Sequence, residues 1–216
     1  CIWDFHIQTS FDSNYENGIL TIDFPNIHGN QLDCEIFLEK ESLVFQKKIV
    51  IDKENHHFSF PVVSPQKWTA ETPELYRLRF VTSEEEICQE IGFREVALLE
   101  NKICINGKPI LFKGINHHEF HETKGRALPK GFLEKEIQLM KEAHFNAIRA
   151  AHYPHSPEFY QLCDRYGLYV MDEADLECHG IGSTGDKNYL SSNQDWEEAY
   201  LDRMKQMAPP PPPPPP

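Results

Sequence analysis

Residues 145–157 read Phe145-Asn146-Ala147-Ile148-Arg149-Ala150-Ala151-His152-Tyr153-Pro154-His155-Ser156-Pro157. They hold a strand, a turn and a helix start, in that order. Ala147–Ala151 is too short and apolar for a helix and reads as a buried strand. Ser156-Pro157 opens a helix, with Ser as N-cap and Pro in the first turn. Phe159, Leu162, Cys163 and Tyr166 form its inner face, and Gly167 ends it. Leu168–Met171 is a second buried strand.

The same unit extends both ways. Upstream, apolar side chains at Leu133, Ile137, Met140 and His144 predict a helix over 131–144. Before it, Ile103–Ile105 and Ile110–Phe112 flank Asn106-Gly107, a hairpin signal. Downstream, residues 195–208 predict a third helix, with Asp195 and Glu198 spaced as a capping box. The order is βαβαβα, which implies a parallel sheet covered by helices. An open Rossmann sheet and a closed (β/α)8 barrel both begin this way. No Gly-x-Gly-x-x-Gly follows the first strand, which counts against the Rossmann option. A full barrel takes ~250 residues. Residues 98–208 hold roughly three of its eight units.

Residues 1–97 alternate in the strand period instead. Asp4–Thr9, Ile19–Phe24, Leu32–Leu38, Leu43–Ile51, Phe58–Val63, Leu75–Val81 and Ile87–Phe93 are strand candidates separated by turns such as Asn17-Gly18 and Gly29-Asn30. Short strands at this spacing predict an immunoglobulin-like β-sandwich. The expected organisation is a sandwich over 1–97, the start of a barrel over 98–208, and a proline tail over 209–216.

The chain has 216 residues and a formal charge of -13. That charge argues against nucleic acid and anionic membranes as partners, because their phosphates would be repelled. No apolar run reaches the ~20 residues of a membrane helix. The six cysteines are scattered without a Cys-x-x-Cys pair, which fits thiols in a reducing, cytoplasmic setting rather than a disulfide framework. The first residue is Cys1 within a strand-like pattern, so the start reads as internal.

Chemistry in such a barrel sits where strands end and loops begin. The three predicted ends read Asn116-His117-His118-Glu119-Phe120-His121, Arg149-Ala150-Ala151-His152-Tyr153-Pro154 and Asp172–Gly180. All three are crowded with imidazoles and carboxylates, the pattern expected of a shared site. His118 and His152 are candidates, although either could be a satisfied core histidine. Arg149 lies inside an apolar strand and needs a carboxylate partner from another strand. Glu177 and His179, two apart, could face one divalent cation if that segment is extended. One carboxylate and one imidazole without thiolates suit Mg2+ or Mn2+ better than structural Zn2+.

Several long motifs resemble family 2 glycoside hydrolases. Asn106–Glu119 resembles the opening of their barrel. Phe145–Pro154 and Asp164–Ala174 look like the second and third strands. Trp68–Tyr76 and Ile91–Glu95 resemble the end of the preceding sandwich domain. Within the family, His117-His118-Glu119 and Glu177-Cys178-His179-Gly180 are similar to the β-galactosidase branch. The resemblance implies that the intact protein is a retaining enzyme acting on terminal β-galactosides, and a homo-oligomer. It implies that His118 and His152 line the galactose pocket and Arg149 supports the nucleophilic carboxylate. Glu177 and His179 would bind Mg2+. It also implies that the acid/base and nucleophile glutamates lie beyond Ala208, because the family's Asn-Glu motif occurs nowhere in this chain. The alternatives are a non-catalytic remnant or binding module, and another family activity such as β-glucuronidase or β-mannosidase.

Overall fold

The computed structural model describes residues 1–207; the proline run 209–216 lies outside the described residues. By internal contacts the chain forms two compact units. One holds Cys1–Phe112 with Asp164–Gly167. The other holds Lys113–Cys163 and the chain from Leu168 onward.

The first unit is a two-sheet sandwich. One sheet has the order β1 (Ile2–Phe11), β2 (Gly18–Ile27), β5 (His57–Val62). The other runs β4 (Leu43–Asp52), β3 (Gln31–Glu39), β6 (Tyr76–Val81), β7 (Glu86–Ile91), antiparallel throughout. All seven strands lie where the alternation predicts them, and no helix occurs before residue 96. Period 2 sends alternate side chains inward. Leu20, Ile22 and Phe24 of β2 meet Ile36 and Leu38 of β3 and Leu78 and Phe80 of β6 in one buried cluster. Phe24 and Phe80 pack edge to face at 5.3 Å, a favoured geometry that adds to their area burial.

A small antiparallel sheet follows: β8 (Val96–Leu99), β9 (Lys102–Ile105) and β10 (Lys108–Pro109). Asn106 and Gly107 turn the second hairpin with φ of 51° and 75°, as their sequence signals. A Cβ on Gly107 would meet the Tyr15 ring at 2.7 Å, so both conformation and space favour glycine there. The strand after the turn is Lys108–Pro109, not Ile110–Phe112. Asn106 also ties this sheet backwards: its N–H donates to Glu95 O, and its side chain accepts from Glu95 N–H and donates to Trp68 O. By contacts this small sheet therefore stays with the first unit, which runs to Phe112.

The second unit begins a parallel sheet of order β11 (Gly114–His117), β12 (Ala147–Ala150), β13 (Tyr169–Met171). Helix α1 (Phe132–Glu142) joins the first two and α2 (Pro157–Tyr166) the last two. Leu133 and Ile137 of α1 are buried, as are Phe159, Leu162 and Cys163 of α2. His144 lies past the end of α1 in a left-handed conformation and is exposed, so it is not an apolar position of the helix. The Ser156 hydroxyl and N–H both donate to Glu119.

Beyond β13, a 3-10 turn covers His179–Thr184, so Glu177 and His179 do not sit on an extended segment. A short helix α3 (Tyr189–Ser192) and a 3-10 turn at Gln194–Trp196 lead into α4 (Glu197–Met207). The capping box at Asp195 and Glu198 does not form. Asn193 takes the role, its side chain accepting from Asp195 N–H, because the helical turns start two residues early. No described helix is long and apolar enough to cross a membrane.

Candidate active site

Parallel register places Asn116, Arg149 and Met171 on one row across the three strands. Arg149 extends from the middle strand to both neighbours. Its Nε donates to Glu173 Oε1, just past β13, and its Nη1 lies 3.4 Å from Asn116 Oδ1. Glu173 is thus the carboxylate partner expected for an arginine within an apolar strand, and it comes from just past another strand; Arg149 itself is half-buried.

His152 follows β12 and shares that carboxylate. Its Nδ1 lies 3.0 Å from Glu173 Oε2 and 3.2 Å from an Arg149 guanidinium nitrogen. A carboxylate only accepts, while a guanidinium only donates, so one nitrogen cannot satisfy both. The shorter contact, to the anion, puts a proton on His152 Nδ1 and leaves Nε2 outside this pairing. Burial works to raise the Glu173 carboxyl, but the bonds from Arg149 and His152 outweigh it and hold Glu173 below the usual carboxylate range.

His118, one residue past β11, packs edge-on against His152 with ring centroids 5.4 Å apart. On the other side, Glu177 Oε2 lies 3.7 Å from His152 Nδ1. Glu177 Oε1 accepts the His179 N–H at 3.0 Å and contacts the His179 ring. That backbone bond, against a smaller opposing effect of burial, holds the Glu177 carboxyl below its ordinary value. The five residues singled out in the sequence, His118, Arg149, His152, Glu177 and His179, therefore form a continuous chain of contacts past the C-terminal ends of the strands.

Three of them, His118, His152 and Glu177, line a cleft of about 830 Å3 whose walls also include Tyr153, Asp172 and Arg203. Helix α4 closes one side, where Arg203 pairs with Asp175 at 2.7 Å. Below it, Tyr160 donates to Asp172 at 2.9 Å; burial first, then this bond, pushes the phenol up. Glu173, Asn116 and Asp172 are the site residues that sequence reasoning did not single out. Their signal was position, each at or just past a predicted strand end.

Among the described residues no group of three or more His, Cys, Asp or Glu side chains gathers to hold a metal. Glu177 and His179 offer one carboxylate and one imidazole. Mg2+ is commonly held by one or two carboxylates with water completing its shell, so this pair fits a partial site rather than a cage.

Residues 96–209 match the model of the glycosyl hydrolases family 2 TIM barrel domain, and residues 1–94 that of glycosyl hydrolases family 2. A β-galactosidase of Pseudoalteromonas haloplanktis is 45% identical over 226 residues, covering 95% of this chain and 21% of that protein. One from Photobacterium profundum is 36% identical, covering 96% and 22%. The chain thus spans about a fifth of the length of the curated relatives it matches. Among solved structures, a β-glucuronidase from an uncultured Clostridium sp. superposes with a TM-score of 0.67 at 25% identity, over 78% of this chain and 28% of that one. A Ruminococcus gnavus β-glucuronidase gives 0.69 at 21% identity over 80% and 30%, a likeness of fold. A sandwich followed by the opening strands of a parallel barrel, matched to the family over nearly its whole length, places this chain in the glycosyl hydrolases family 2.

Proposed function

We propose that the protein containing this chain hydrolyses terminal β-D-galactosides with retention of configuration. The observation that carries this reading is the contact run His118–His152–Arg149–Glu173, with Glu177 beside His152, at the edge of a cleft that His118, His152 and Glu177 line, in a chain 34–45% identical to proteins called β-galactosidases. His152 Nε2 is left to hydrogen-bond a sugar hydroxyl, and His118 lines the same wall. Arg149 presents a fixed cation on the barrel row. Retaining hydrolysis needs two carboxyl groups ~5 Å apart, one as acid/base and one as nucleophile. We assign both to glutamates in sequence beyond Ala208, with Arg149 supporting the nucleophile.

Glu177 and His179 would hold Mg2+, which, when bound, offsets negative charge beside the sugar. The intact protein is proposed to be a homo-oligomer. Its cytoplasmic location is supported by six free cysteines, three of them buried.

The test is turnover of a chromogenic β-galactoside by the intact protein, with the matching β-glucuronide in parallel. Hydrolysis of the galactoside at least ten times faster supports the reading. Preference for the glucuronide, or no turnover of either, removes it in favour of another family activity or a non-catalytic module.

A further inference from the structure

Outside the lining of the cleft, two buried histidines face each other. His117 closes β11, and His155 ends the turn that follows β12; each is only 6% exposed. His155 Nδ1 lies 3.1 Å from the Tyr153 carbonyl, which only accepts, so that nitrogen carries a proton. His117 Nε2 lies 3.2 Å from Glu136 Oε2 of α1, so an ionised Glu136 requires a proton there too. The remaining contact, His117 Nδ1 to His155 Nε2 at 3.0 Å, needs a third proton between the rings. Two neutral imidazoles carry only two, so one ring is an imidazolium.

Burial pushes the His155 imidazole below the usual histidine range. His117 is as buried, but it faces the Glu136 carboxylate, and that anion favours the charge on His117. Phe159 lies nearly parallel to the His117 ring at 5.4 Å, a suitable face for a cation. The other groups facing the pair are Glu119, which holds Ser156, and Tyr160, whose hydroxyl accepts from His155 N–H and donates to Asp172.

We infer that His117 is a doubly protonated positioning residue, tying Glu136 of α1 to His155 and so holding the Tyr153–Ser156 turn that sets His152. Its link to catalysis rests on the proposed sugar-binding role of His152. Loss of the third proton forces His117 to give up either Glu136 or His155. The turn then loosens, and affinity for the sugar falls as pH rises.

Neutron diffraction from crystals of the intact, unmodified protein at neutral pD tests the protonation directly. Deuterium on both ring nitrogens of His117, and on Nδ1 alone of His155, is expected. Deuterium on the Glu136 carboxyl, or on only one nitrogen of His117, overturns the inference. The positioning role is read from KM between pH 6 and 9, for the intact protein and for Glu136→Gln. A glutamine amide can accept from a protonated Nε2 or donate to a bare one, so the variant meets His117 in either state. The unmodified protein should show KM climbing roughly five-fold, about one hydrogen bond's worth, while Glu136→Gln stays flat with kcat unchanged. Parallel KM curves refute the role. Should the variant not fold, the deuterium map still decides. Absence of any galactoside turnover counts against the proposed function, not against that map.

Discussion

Glu173 receives Arg149 on one carboxylate oxygen and His152, at 3.0 Å, on the other. One acidic side chain past β13 thereby orients one residue of the neighbouring strand β12 and one just beyond its end. The arrangement links the cleft wall to the barrel interior and makes Glu173 a residue whose removal should be felt by both partners.

Glu173→Gln in the intact protein should lower kcat/KM for a galactoside about 10- to 100-fold, mostly through KM, because Arg149 loses its anion and His152 its anionic partner at Nδ1. The sign with pH follows from the depressed Glu173 carboxyl. A group depressed in the folded state stabilises above its unfolded value, about 4.3 for Glu, and that contribution is lost as pH falls through the folded value. The melting-temperature difference between unmodified protein and variant should be constant from pH 6 to 8 and shrink below about pH 4. A gap that widens in acid would reject this account.

Glu177→Gln should raise the Mg2+ concentration needed for half-maximal activity, since an amide oxygen carries no charge to offset the dication. His152→Phe should chiefly weaken sugar binding. Its separation from the metal is incomplete, because His152 Nδ1 lies 3.7 Å from Glu177 Oε2. A smaller shift of the Mg2+ midpoint is therefore expected for His152→Phe than for Glu177→Gln. Titrations that superimpose for Glu177→Gln and the unmodified protein remove the metal assignment.

The 216-residue chain expressed by itself should not hydrolyse a chromogenic β-galactoside. It should also aggregate. Among the described residues β11 and β13 each pair on one side only, and Ile115, Met171, Leu201 and Met204 are exposed. Robust turnover by this chain would defeat the assignment of the catalytic glutamates beyond Ala208. Light scattering during expression trials checks the second part.

Phe80→Ala should cost the sandwich about 3–5 kcal/mol, read as a lower urea midpoint, because the fully buried ring packs against both Phe5 and Phe24. A loss under about 1 kcal/mol would mean the cluster closes over the cavity.

Much of this architecture was readable along the chain because its determinants are local. The alternation of Leu20, Ile22 and Phe24 needs only the period of an extended backbone to define an inner face. The helical spacing of Phe159, Leu162 and Cys163 defines the inner face of α2 in the same way. Errors fell where a few residues have competing options. Ile110–Phe112 is apolar enough for a strand, yet the paired strand is Lys108–Pro109 and Ile110 adds only its N–H bond to Ile103 O; Asn193 captured a helix start that Asp195 could equally have made. That the small sheet after residue 97 keeps company with the sandwich also lay beyond pattern reading, since the bonds of Asn106 to Glu95 and Trp68 span sequence separation.

The site divides in the same manner. By itself the sequence determined which residue types stand at each strand end, because strand and loop follow from hydrophobic period and turn chemistry. It determined too that Arg149 required a distant carboxylate, since a cation within an apolar strand cannot stay unpaired. Only the tertiary structure decided that the carboxylate is Glu173, that His152 leans on it, and that the His117 and His155 rings meet at 3.0 Å. Those pairings depend on parallel register and on how far each side chain reaches across neighbouring strands. Neither quantity is written in the spacing of residues along one chain.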